Sequence, residues 1–185
     1  MRFTELELPG AYLVHLEPHR DERGFFARTW CRREFEEQGL ETRVAQRSLS
    51  YSKQKGTLRG MHFQAPPRQE VKLVRCARGA LHDVIIDLRR ESPAFGEHLA
   101  VTLDAERRRT LYVPEGFAHG FQTLENGTEV HYQMSEFYSP EHSRGYRPDD
   151  PAFDIDWPVE PAIVKDRDLE WPDFDPDRPL EGPVG

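Results

Sequence analysis

A chain of 185 residues with a formal net charge of -8 has the length of one domain and enough residues to bury a core. Its acidic balance argues against a duplex nucleic-acid binder, whose affinity rests on a broad basic face, but leaves room for a local basic pocket that holds one small anion. Hydrophobic residues make up 37%, and no window approaches the ~18 consecutive apolar residues of a membrane span.

The N-terminal stretch MRFTELELPGAY lacks the apolar core of a signal peptide, so a soluble, cytoplasmic protein is expected. AYLVHLE (11–17) alternates loosely and reads as a first strand, followed by the polar turn PHRDERG (18–24). CRREFEEQG (31–39) is the one helix start, with Gly39 as its C-terminal cap. Four short β-branched or alternating runs follow: VKLVRCARG (71–79), ALHDVIIDL (80–88), EHLAVTL (97–103) and TLYVP (110–114). PEGFAHGF (114–121) reads as a glycine-framed turn, and TEVHYQMSEFY (128–138) resumes the strand pattern. With 15 prolines and 13 glycines marking the turns, strands at spacings of about 8 to 15 residues predict an antiparallel sandwich or barrel. From about residue 139 the chain is rich in Pro and Asp, and Trp157 and Trp171 imply that this tail packs on the body. No repeat, low-complexity run or second domain is visible, so residues 1–185 read as a single domain. Cys31 and Cys76 are too few and too far apart for a disulfide framework and read as reduced thiols.

The chemistry concentrates in GTLRGMHFQAPPRQEVKLVR (56–75), where one histidine sits among Arg59, Arg68, Lys72 and Arg75. The ordinary pKa of His62 lies near neutrality, which suits proton removal; the alternative is a histidine that only hydrogen-bonds in the core. The cations suit a phosphorylated or carbonyl substrate, because arginine offers a planar fork to phosphate and lysine a point charge to an oxyanion; the alternative is a solvated strand surface. Strict alternation sets Arg59 and His62 on opposite faces, so they converge only if Gly60 marks a bulge or kink. Tyr132 could serve as an acid and Asp166 as a carboxylate partner for a base, though nothing in the spacing pairs Asp166 with His62. His62 and His119 could be two metal ligands, but the position two after His62 is Gln64, where a His-x-His pair would place another imidazole, and the ligand set stays incomplete. Neither cysteine has a local base and no GxSxG elbow occurs.

From about Leu8 to Asp173 the chain resembles the dTDP-4-dehydrorhamnose 3,5-epimerase family. The motifs are DERGFF (21–26), TLRGMHFQ (57–64), KLVRCARG (72–79), DVIIDLR (83–89), ESPAFG (91–96), VPEGFAHGF (113–121), YQMSEFYSP (132–140), the DDPAF run from 149 and VKD (164–166). The resemblance implies an all-β cupin jelly roll with a few short helices, and an enzyme that epimerises a nucleotide-linked 4-keto-6-deoxy sugar. It implies His62 as general base, Asp166 as the carboxylate that orients it, Tyr132 as the acid on the opposite face and Lys72 beside the C4 oxygen. Arg23, Gln46, Arg59, His119 and Lys165 match positions that hold sugar, diphosphate or nucleotide. It implies no metal or organic cofactor, and a homodimer with exchanged N-terminal strands in which the Arg23 region serves the partner's pocket. Two positions depart from the family pattern: Arg28 stands where glutamate is common, and Ser48 where asparagine is common. They leave a C3- or C5-only epimerase as an alternative reading; a 3,4-ketoisomerase, a metal-dependent cupin and a non-catalytic nucleotide-sugar binder are further ones.

Overall fold

The computed structural model describes residues 1–181. Within them the strands are β1 (Arg2–Glu5), β2 (Tyr12–His15), β3 (His19–Asp21), β4 (Gly24–Phe26), β5 (Gln46–Ser52), β6 (Thr57–Gln64) and β7 (Lys72–Arg78). They continue with β8 (Ala80–Asp87), β9 (His98–Asp104), β10 (Thr110–Val113), β11 (Phe117–Thr123), β12 (Thr128–Met134), β13 (Ser143–Gly145) and β14 (Ile163–Val164). The α-helices are short, α1 (Arg32–Glu37) and α2 (Asp166–Leu169).

One sheet has the order β1-β2-β10-β7-β12-β5 and the other β13-β6-β11-β8-β9, with β14 added parallel to β6 and β3-β4 standing as a separate hairpin. These two antiparallel sheets face one another across a shared core, as in a jelly roll. Period-2 alternation sorts the side chains. On β8, Leu81 and Ile85 enter the core between the sheets with Val74, Leu111, Phe121 and Val130, while Val84 and Ile86 turn to the opposite face. That opposite face is covered by the tail: Tyr146, Phe153, Trp157 and Phe174 pack on Met61, Phe63 and Val84. Trp157 donates its indole N–H to the Pro148 carbonyl at 2.8 Å, and Trp171 is buried.

The outer face of the first sheet is closed in part by α1, whose Phe35 packs with Val14, Leu73 and Tyr112. This helix ends as the sequence predicts: Gly39 has φ +71°, the Gly39 N–H reaches the Glu36 carbonyl at 3.0 Å and the Leu40 N–H the Phe35 carbonyl at 3.0 Å. That pair of bonds, with glycine in the left-handed region, is the Schellman stop.

Three parts of the chain differ from the sequence reading. PEGFAHGF is not a turn: only its first residues turn, and His119 lies in mid-β11, at the centre of a sheet between β6 and β8. QRSLSYS forms β5, with Leu49 and Tyr51 on its exposed face and the serines between them, the reverse of an apolar-in strand. The segment read as the turn 18–24 folds into most of the β3-β4 hairpin. In contrast, the kink required at Gly60 is present. Arg59 pairs with Phe121 and His62 with His119, so β6 carries one more residue than β11 across that interval. Gly60 has φ +141°, and a Cβ there would lie 2.5 Å from the Cα of Gly120, so the close approach of two backbones demands glycine.

Candidate active site

The Gly60 bulge brings Arg59 and His62 to the same side of β6, and with it to one cavity of about 600 Å3 between the two sheets. One wall is β6 and β11, with Arg59, His62 and His119; the other is β5, β7 and β12, with Ser50, Lys72 and Tyr132. His62 and Tyr132 therefore come from opposite sheets into a common hollow.

His62 gives its Nε2 to Asp168 Oδ1 at 2.8 Å. A carboxylate only accepts, so Nε2 carries the proton and Nδ1 is the nitrogen left to act as a base. The Asp168 side chain is 5% exposed and the His62 side chain 44%, so the carboxylate is sealed while the imidazole reaches the cavity. Burial pushes the Asp168 carboxyl up, but the His62 hydrogen bond and charge, the Gly60 N–H at 3.4 Å and Lys165 together hold it below the ordinary aspartate value.

The carboxylate that meets His62 is thus Asp168 and not Asp166. Both lie in the single turn of α2, where residues two apart point about 200° apart around the axis, so when Asp168 faces the barrel Asp166 faces solvent. The motif VKDRD carries two aspartates at this spacing, and sequence alone gives no signal for which one turns inward. The same geometry brings Arg167 to the cavity lining beside Lys165, a cation the sequence reading did not single out.

On the opposite wall, Tyr132 is half-buried, and its phenol is pushed well above the ordinary tyrosine value by burial first and by the charge of Asp83 second, with Arg59 pulling the other way. The ring of His119 stands edge-on to it, with centroids 6.0 Å apart. Lys72, buried at the start of β7, pairs with Glu70 at 2.9 Å and lies 3.4 Å from the His62 carbonyl oxygen. Glu70 also lines the cavity and went unremarked in the sequence. Arg59 is held loosely, its Nε 3.4 Å from Ser52 Oγ and its Nη2 3.5 Å from the Tyr51 carbonyl, which leaves further guanidinium N–H groups to meet an anion.

Two predicted binding residues do not line this cavity. Arg23 sits on the β3-β4 hairpin, 82% exposed and paired with Asp21. Gln46 begins β5 and uses its side-chain carbonyl to accept the Tyr138 N–H, so it braces a residue of the cavity mouth instead. Among the described residues no group of three or more His, Cys, Asp or Glu side chains is placed to hold a metal ion, and His62 and His119 each commit one ring nitrogen to a carboxylate. The cysteines take no part: burial pushes the Cys76 thiol to about 11, and neither lines the cavity.

Set beside known proteins, residues 5–176 match the sequence model described as dTDP-4-dehydrorhamnose 3,5-epimerase. A protein of that name from Methanothermobacter thermautotrophicus is 43% identical over 173 residues, covering 92% of each chain. The crystal structure of dTDP-4-dehydrorhamnose 3,5-epimerase from Bacillus anthracis, with TDP and PPi bound, superimposes with a TM-score of 0.90 at 38% identity, over 94% of this chain and 99% of that one. ChmJ, a 3'-monoepimerase from Streptomyces bikiniensis solved with dTDP-quinovose, superimposes with a TM-score of 0.84 at 33% identity, over 91% of this chain and 85% of that one. A match that spans the fold, both cavity walls and the α2 turn has one meaning: the chain belongs to the dTDP-4-dehydrorhamnose 3,5-epimerase family.

Proposed function

We propose that this protein inverts C3 and C5 of dTDP-4-dehydro-6-deoxyglucose, a nucleotide-linked 4-keto sugar, by removing a proton on one face of the ring and returning one on the other. The observation that carries this reading is the pairing of His62, as a His-Asp dyad, with Tyr132 across a single cavity. Hydrogens at C3 and C5 both flank the C4 ketone, and each becomes acidic when the enolate oxygen is stabilised. Lys72, almost out of water, supplies a cation for that oxygen, and a cation in a low-dielectric site is worth more than the same cation in solvent. His62 Nδ1 takes the proton, Tyr132 delivers the replacement, and Arg59 with Lys165 and Arg167 grips the diphosphate so that the ring stays between base and acid. The reaction draws on no metal or organic cofactor, so activity is expected to survive chelation; loss on chelation with recovery on adding metal would favour a metal-dependent cupin instead.

The dyad carboxylate is open to a direct comparison. Asp168→Asn is expected to lower turnover by roughly 10- to 100-fold, because an amide can turn its N–H to His62 and favour the wrong tautomer, whereas Asp166→Asn should leave turnover within about 2-fold. Equal losses from both would return Asp166 to the site.

The whole reading is tested by incubating the protein with dTDP-4-dehydro-6-deoxyglucose in deuterated water and locating the label by NMR. Deuterium at C3 and C5 with both centres inverted is the expected result. Label at one carbon would favour a mono-epimerase, the reading supported by Arg28, Ser48 and the likeness to a 3'-monoepimerase. No label from a substrate that binds would remove the catalytic claim.

The working unit is a cytoplasmic homodimer. Arg23, Phe25 and Phe26 stand exposed on a hairpin that lines no part of its own chain's cavity, which suits a segment that completes a neighbour's site. Sedimentation equilibrium should give twice the chain mass, and a monomer with full activity would refute the shared site.

A further inference from the structure

The part of the cavity wall that carries Lys165 and Arg167 is backed by a tryptophan that the reaction described above does not use. Trp171 follows Arg167 by four residues, and after the turn of α2 that spacing returns the chain to the same side. The guanidinium carbon of Arg167 stands over the indole, 5.2 Å from the ring centroid. The indole in turn lies against β13: a Cβ on Gly145 would come within 2.5 Å of its Cε2 and Nε1, and Gly145 is the cross-strand partner of His62. Trp171 is 5% exposed, so its seat is fixed by the protein while Arg167 reaches the cavity.

Two features single out the aromatic face as what this position provides. The Trp171 Nε1 is buried with no hydrogen-bond partner among the described residues. An unpaired buried N–H is costly, and an aliphatic side chain would fill the space without it; what tryptophan adds is the ring that attracts cations best. Arg167 is unusual in a complementary way. Its own Nε is buried without a partner, and among the described residues it forms no ion pair, although Asp166, Asp168 and Glu170 flank it in an acidic chain. Lys72, by contrast, pairs with Glu70. A carboxylate would occupy the guanidinium fork and cancel its charge, whereas a ring face attracts the cation from the side and leaves both for a phosphate.

We infer that Trp171 is a positioning residue for the nucleotide diphosphate, touching no substrate itself but holding the Arg167 guanidinium at the cavity wall with its charge and N–H groups free for the phosphates. The inference rests on the epimerase reading for the ligand, and on the Arg167–Trp171–Gly145 contacts for the mechanism. Arginine has a long, rotatable stem, and fixing it before the ligand arrives removes part of the ordering cost of binding. The effect belongs to the diphosphate handle and not to the reacting ring, so it enters affinity and leaves the proton transfers alone.

Two measurements test it. In protein labelled with 13C and 15N, the Arg167 side-chain signals, assigned by their disappearance in Arg167→Lys, should be shifted upfield by the indole ring current and should return to the ordinary arginine range in Trp171→Leu. This arm needs neither ligand nor turnover, so it stands or fails apart from the epimerase reading. Unshifted Arg167 signals in the wild-type protein would overturn the proposal.

The second measurement is a double-mutant cycle on dTDP binding, read by titration calorimetry. Trp171→Leu keeps apolar volume without a π face and is expected to weaken binding by about 3- to 30-fold, while Trp171→Phe, which retains a face, should recover most of the loss. In an Arg167→Leu background the same change should cost less than about 2-fold. In turnover, KM should rise with the lost affinity and kcat should stay within about 2-fold. An equal loss in both backgrounds, or a fall in kcat at unchanged KM, would mean that the indole only supports the α2 turn and Asp168, and would overturn the inference. Absence of dTDP binding by the wild-type protein would refute the nucleotide-sugar reading itself, whereas binding that Trp171→Leu leaves unchanged refutes this inference alone. Should Trp171→Leu fail to fold, the wild-type Arg167 signals and Trp171→Phe still decide between the outcomes.

Discussion

His62→Asn should lower turnover by about 10² to 10⁴, the usual worth of a positioned general base, and should abolish deuterium incorporation into the sugar along with inversion. The substitution keeps a polar side chain of moderate size in the cavity and leaves Asp168 with an N–H to bind, so the fold and the α2 turn should persist. What disappears is the His62 Nδ1, the nitrogen left free by the Asp168 bond to take the substrate's proton. Arg59, Lys165 and Arg167 remain, so the affinity for the nucleotide diphosphate should change little, and the loss should appear in kcat and not in KM. NMR of the reaction in deuterated water measures both inversion and exchange. Near-normal incorporation in His62→Asn would take the base role away from this residue.

Tyr132→Phe separates the two halves of the reaction. Inversion should fall by about 10² to 10⁴, because no acid remains on the far face. Exchange at the same carbons should continue at a measurable rate, since His62 can remove a proton and return a deuteron from its own side without inverting the centre. The environment of Tyr132 suits this division of labour. Burial, and behind it the charge of Asp83, keep the phenol protonated far above neutrality, so the acid is loaded across the working range and gives up its proton only to a strong base such as an enolate carbon. Phenylalanine preserves the ring beside His119 and removes a single oxygen, which limits any structural contribution. Two results would contradict the assignment: undiminished inversion, or a loss of exchange as complete as in His62→Asn, which would place Tyr132 in substrate binding or on the same face as the base.

Legibility followed physical rules. β7, β8, β9, β10 and β12 stand in the sequence because one face of each enters an apolar core and the β-branched residues alternate accordingly. β5 does not, since Ser50 and Ser52 take inward positions that would otherwise be apolar, Ser50 lining the cavity, while Leu49 and Tyr51 are exposed. The β11 segment GFAHGF reads as a turn because its glycines are turn residues in most settings. Here Gly120 is glycine for another reason: Met61 and the Gly60 backbone press against it, and a Cβ would meet the Met61 sulfur at 2.5 Å. Gly60 was informative in the opposite way, because the need for Arg59 and His62 to share a face already required a break in the pleat.

The sequence by itself determined an antiparallel β sandwich or barrel, the cluster of cations around one imidazole, and the chemistry that a His, a Tyr and a Lys can perform beside a ketone, since composition and residue type carry those properties wherever the side chains end up. Tertiary structure alone decided which aspartate serves His62, that Arg167 joins the lining, that Arg23 lies away from its own chain's cavity, and that a second dyad stands behind the acid. Each of those is a matter of direction: a two-residue step rotates a side chain to the far side of a helical turn, and β8 and β11 meet Asp83 to His119 only when the sheet is assembled.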